Sequence, residues 1–136
     1  MRPSAKTEYA CLALLALASR DAAAPPLRVR EIAEARGIPE RYLVQILLRL
    51  KNAGLVESVR GASGGYRLAR GADAINLAEV FEAFEGSGFQ GHRGEDRWRE
   101  ALEETWTRCD AARVEVLRET SLARLLQHAQ TPEWVI

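Results

Sequence analysis

Arg41, Gln45 and Arg49 recur every four residues, so on a helix they share one face. Guanidinium and amide groups pair bidentately with guanine and adenine edges, and a row of them suits the DNA major groove. Further on, Arg60 opens the tip Gly61-Ala62-Ser63-Gly64-Gly65. Glycines bring backbone N–H groups close to a phosphate, and an arginine at the tip reaches into a minor groove, whose negative potential is strongest where it is narrow. By itself a glycine-rich tip is only a turn. Its meaning here comes from the polar row that precedes it.

Other chemistry is sparse. Cys11 and Cys109 are the only two cysteines, which implies no disulfide framework. Cys11 lies in an apolar run and reads as core. Cys109 reads either as a redox thiol or as a small apolar residue on a packed seam, and its spacing favours the seam. His92 and His128 are far apart and read as surface residues. A Cys109–His92 hydrolase would lack an orienting third group and a nucleophile elbow. A module whose helix-turn-helix binds protein is a further alternative, which a salt-sensitive DNA affinity would separate.

These side chains need elements to hold them. Leu43, Ile46, Leu47 and Leu50 fall at helical spacing, so the helix carrying the polar row buries its opposite face. Pro39 is expected at its first position and Gly54 at its C-cap. Gly37 bends the chain between this helix and the preceding one, around Ile32-Ala33. That preceding helix begins poorly, because Arg28 stands where Ser or Asp would cap better. A hairpin over 55–69 follows, with Val56 and Val59 on one strand and Tyr66 and Leu68 on the other. Asn76 and Glu79 form a capping box for a helix ending at Gly86, with Leu77, Val80, Phe81 and Phe84 as its packing face.

A glycine-rich loop, Ser87 to Gly94, leads into a long helix predicted from Glu95 to about Arg118. Its residues Trp98, Leu102, Thr105, Cys109, Ala112 and Val116 alternate steps of four and three, a heptad-like seam flanked by Trp106, Arg113 and Leu117. So small a domain leaves little to cover that seam, and the expected cover is the same helix of a second subunit. A short helix from Ser121 to Gln130 follows, with Leu122, Leu125 and Leu126 as its apolar face and Pro132 closing it.

The 136 residues carry no net formal charge. Residues 1–70, however, hold 12 Lys+Arg against 6 Asp+Glu, and residues 71–136 hold 7 against 13. The basic half faces a polyanion and the acidic half has another task. At the N-terminus, Tyr9 to Ala18 imitates a signal peptide, but Glu8 and the Ser4 N-cap favour a buried first helix of a cytoplasmic protein. The run is too short to span a bilayer.

Arg2, Ser4, Lys6, Tyr9, Glu31-Ile32-Ala33, Ile38, Arg41-Tyr42-Leu43, Gly54-Leu55-Val56, Ser58-Val59-Arg60-Gly61, Gly64-Gly65-Tyr66, Leu68-Ala69, Ile75, Glu85-Gly86 and Ser121-Leu122 together resemble the Rrf-type (IscR/NsrR/CymR-like) family of bacterial regulators. The likeness covers residues 1–86 strongly and the tail more loosely. It implies a mainly α fold with a small β-hairpin wing: a winged helix-turn-helix over residues 1–86, then a loop, a long dimerisation helix and a C-terminal helix over 87–136. It implies a homodimeric, sequence-specific transcriptional regulator, not an enzyme, whose partner is a double-stranded DNA operator. The DNA-binding residues so implied are Arg2, Ser4, Lys6, Arg41, Tyr42, Val44, Gln45, Arg49, Arg60, Gly61, Gly64 and Gly65. Those of the dimer interface are Trp98, Leu102, Trp106, Cys109, Val116 and Leu117.

Two departures qualify the likeness. Iron–sulfur members carry three cysteines after the glutamate–glycine pair, whereas Ser87 to Leu102 holds none. Thiolates hold such clusters, so no cofactor is expected; the alternative is a redox sensor with a cluster or thiol using Cys109 beside Glu8 and His92. The second departure is Val44, where several relatives carry an acidic residue. Valine accepts no hydrogen bond and offers a thymine methyl only apolar contact. Without a cluster, the loop 86–94 and the seam at Trp98, Trp106 and Cys109 are the expected place for a small apolar or aromatic effector.

Overall fold

Ser4 accepts a hydrogen bond from the Thr7 N–H and opens α1 (Ala5–Ala18). The computed structural model, which describes residues 2–86 and 96–130, continues with α2 (Val29–Arg36), α3 (Glu40–Asn52), β1 (Val56–Val59), β2 (Gly65–Leu68), a 3₁₀ turn (Ala72–Ala74), α4 (Leu77–Glu85), α5 (Arg97–Glu119) and α6 (Leu122–Gln130). Ala10, Ala13, Leu14 and Leu17 place α1 at the centre of one core, and its small residues let α2, α3, α4 and α6 approach closely.

Gly37, at φ +64°, ends α2 and turns the chain into α3. Pro39 is the N-cap of α3 and not its first helical residue, because its ψ of 123° is extended while its carbonyl accepts from the Tyr42 and Leu43 N–H groups. Leu43, Ile46, Leu47 and Leu50 are buried as their spacing requires. At the other end Leu55 donates to the Leu50 carbonyl and Gly54 (φ +76°) to that of Lys51, so Ala53 is the cap and Gly54 follows it in the left-handed conformation.

β1 and β2 pair antiparallel, Val56 opposite Leu68 and Val59 opposite Gly65. Leu27 adds an isolated bridge to β2: its N–H and carbonyl exchange hydrogen bonds of 3.0 and 2.7 Å with Tyr66. The segment before α2 therefore carries a bridge that fastens the hairpin to the helices. Arg28, the uncapped N-cap of α2, donates from its guanidinium to the Ala62 carbonyl at the hairpin tip.

The capping box of Asn76 and Glu79 starts α4 as expected. Asp96 caps α5, so that helix starts at Arg97 and runs to Glu119; Glu95 lies outside the described residues. None of the residues of α5 is buried. The chain then returns: Leu122 donates to the Ile75 carbonyl at 3.0 Å, and its side chain is fully buried in the core that α1 organises. The packing does not divide at residue 86, because α6 shares the core of α1. Pro132 lies outside the described residues.

Candidate nucleic-acid interface

The outward side of α3 carries Arg41, Val44, Gln45, Leu48, Arg49 and Asn52, all exposed. Arg41 lies over the Tyr42 ring at 5.6 Å from its centroid. Arg49 lies over Phe84 at 5.3 Å, which aims this guanidinium at the end of α4 and separates it from the centre of the row. A cavity of about 420 Å³ beside α3 is lined by Lys6, Tyr42, Gln45, Leu48, Arg49 and Phe84, among others. It places Lys6 of α1 next to the polar row, although the two are far apart in sequence. Leu48 and Asn52 are exposed residues of this face that sequence reasoning missed; 54% of Leu48 is open to solvent.

Arg2 is exposed. Ser4 is engaged internally: its hydroxyl caps α1 and lies 3.0 Å from Thr7 Oγ1, while its N–H donates to Glu85 Oε1 at 2.8 Å. The buried Thr7 hydroxyl donates to the same oxygen at 2.7 Å. This clasp ties the N-terminus to the end of α4. The Ser4 N–H, then the Thr7 hydroxyl, hold the Glu85 carboxyl below the usual carboxylate range. A depressed acid stabilises the fold above its ordinary pKa and loses that contribution as pH falls through the folded value. Glu85→Gln should therefore lower the thermal midpoint near neutral pH, and the gap between variant and parent should close on acidification below the ordinary carboxylate pKa. Melting curves across pH 3–7 check this.

At the wing, Arg60 and Gly61 are exposed, and Gly61 sits at φ +107° with open space where a Cβ would stand. Gly64 and Gly65 differ from the expectation that they serve DNA contact. Gly64 is buried and gives its N–H to the Gly61 carbonyl at 2.9 Å, so that N–H is not presented to a phosphate. A Cβ at Gly64 would meet the Val59 and Gly61 carbonyl oxygens. Gly65 faces the Leu27 backbone. Close approach of main chains, not a free tip, is what both glycines permit.

On α5, Trp98, Leu102, Thr105, Cys109, Ala112 and Val116 are exposed along one stripe, with Trp98 at 82% and Val116 at 62%. Trp106, 47% exposed, borders the stripe. Leu117 departs from the expected set. It is half-buried on the side of α5 that meets α4, where Arg113 lies over Phe81 at 5.8 Å.

The donors present do not fit a cysteine-held cluster. Cys11 lies in α1, where burial first and Glu8 second push its thiol up to about 11, disfavouring the thiolate that ligates iron. Cys109 is exposed in mid-α5, and among the described residues no group of three His, Cys, Asp or Glu side chains is placed to hold a metal ion. His92 lies outside the described residues, as does most of the loop expected to hold an effector. The cavity beside α3 and a second of about 380 Å³, between the end of α1 and the hairpin, are not lined by Trp98, Trp106 or Cys109. Among the described residues no helix is long and apolar enough to cross a membrane.

Several solved and curated proteins similar to this chain are regulators. The solved structure of CymR (YrzC), the global cysteine regulator of B. subtilis, superposes with a TM-score of 0.81 at 34% identity, over 94% of this chain and 98% of that one. That of IscR from T. potens gives 0.80 at 32% identity, over 98% and 93%. The HTH-type transcriptional regulator IscR of Cereibacter sphaeroides is 33% identical over 97% of this chain and 91% of its own length. The Rrf2 family, described as iron-dependent transcriptional regulators, matches residues 3–128. With a winged helix-turn-helix, an outward polar helix face and these relatives, the chain belongs to the Rrf2 family of transcriptional regulators.

Proposed function

We propose that the protein is a sequence-specific DNA-binding regulator acting in the cytoplasm as a homodimer, without a cysteine-held iron–sulfur cluster. The observation that carries this reading is the face of α3. Its outer side exposes Arg41, Gln45 and Arg49, its inner side is buried, and Lys6 from α1 borders it. In this reading α3 enters the major groove, with Arg41 and Gln45 on base edges. Arg49, Lys6 and Arg2 meet the phosphate backbone, and Arg60 and Gly61 meet the minor groove. The uncovered stripe of α5 meets the same stripe of a second copy, so two α3 helices address two half-sites about one helical turn, or a multiple of it, apart.

Selection from a random duplex library with the full chain tests this and should enrich a near-palindrome. Arg41→Ala and Gln45→Ala should each cost about 1–3 kcal/mol on the enriched duplex and relax the preference at one position per half-site. Equal losses on enriched and scrambled duplexes would contradict base reading by these residues.

A further inference from the structure

Val44 and Leu48 lie one turn apart on the exposed side of α3, 51% and 54% open, with Arg41 and Gln45 on the same face. The core takes its apolar side chains from the opposite face, Leu43, Ile46, Leu47 and Leu50. Two exposed branched aliphatics thus form a short apolar ridge among cationic and amide groups. Charge decides what covers it: Arg41 and Arg49 on α3, Lys6 from α1 and the positive excess of residues 1–70 favour a polyanion over an apolar protein surface. Within the major groove, the exposed apolar group of the bases is the thymine 5-methyl. Four residues of helix rise about 6 Å, enough for the two side chains to reach methyl groups on neighbouring base pairs.

We propose that Val44 and Leu48 are specificity-determining residues that read thymine by packing against its methyl group, next to the hydrogen bonds made by Arg41 and Gln45. The inference rests on α3 being the DNA-reading helix and adds the base it selects. It differs from polar readout in one respect: an apolar contact discriminates thymine from uracil, whereas a hydrogen bond to the shared O4 does not.

The test replaces each thymine of the enriched duplex by deoxyuridine, one position per half-site at a time, and measures Kd with the full chain. At one or two positions per half-site the loss should be about four-fold for each methyl removed. In Leu48→Ala and Val44→Ala, the penalty at the position each residue contacts should disappear, while circular dichroism reports an unchanged fold. Uracil tolerated at every position, with the enriched duplex still preferred over a scrambled one, would overturn the inference and leave DNA reading intact. Failure to enrich any sequence would instead overturn the reading on which it rests.

Discussion

Leu102→Glu combined with Val116→Glu should yield a folded monomer with a large loss of operator affinity. Both side chains are exposed on α5, so the charges cost the single chain little. In a two-fold dimer built on this stripe the stripe of one copy meets that of the other, and carboxylates there are both desolvated and mutually repelled. A dimer converts the second half-site contact into an intramolecular one, and its loss should weaken binding to a two-half-site duplex on the order of 10²–10⁴-fold. Sedimentation gives the mass and fluorescence anisotropy the affinity. A variant that remains dimeric would move the interface away from this stripe.

Gly65→Ala should destabilise the wing far more than Gly61→Ala. Its Cβ would stand 2.6 Å from the Leu27 carbonyl carbon and nearer still to the oxygen, with the backbone at φ +149°. Both terms oppose alanine: a main-chain clash that only separation of the Leu27 rung relieves, and a conformation that is almost exclusively glycine's. The expected cost is about 2–5 kcal/mol. Gly61→Ala, with open space at its Cβ, carries only the conformational term and should cost clearly less. Urea unfolding of the two variants decides it. Equal midpoints would mean that the Leu27 bridge contributes nothing to the wing.

What the sequence made legible was local or periodic. The buried face of α3 follows from the spacing of Leu43, Ile46, Leu47 and Leu50. The Asn76–Glu79 capping box is a three-residue signature that the structure contains as written. What stayed hidden was long-range or too short to have a period. Leu27 contributes a single rung, which no alternation announces. The clasp of Glu85 on Ser4 and Thr7 joins groups about eighty residues apart and leaves no local trace. Leu48 carries no polar group to mark it as part of the outer face, although the helix phase turns it outward. Phase also separates Val116 from Leu117: adjacent apolar residues sit about 100° apart on a helix, so one joins the exposed stripe and the other leans toward α4. The glycines of the tip were recognised as necessary, but at Gly64 and Gly65 the need arises from backbone atoms brought close by folding.

Sequence-specific binding by a dimer is decided by an anisotropy titration of the full chain against its enriched duplex and against a scrambled duplex of equal length, at low and near-physiological salt. Two protomers should bind each enriched duplex, affinity for both duplexes should fall steeply with salt, and the enriched duplex should be bound at least on the order of 10³-fold more tightly near physiological salt. Equal affinity for the two duplexes, or no binding to either at low salt, would contradict sequence-specific binding.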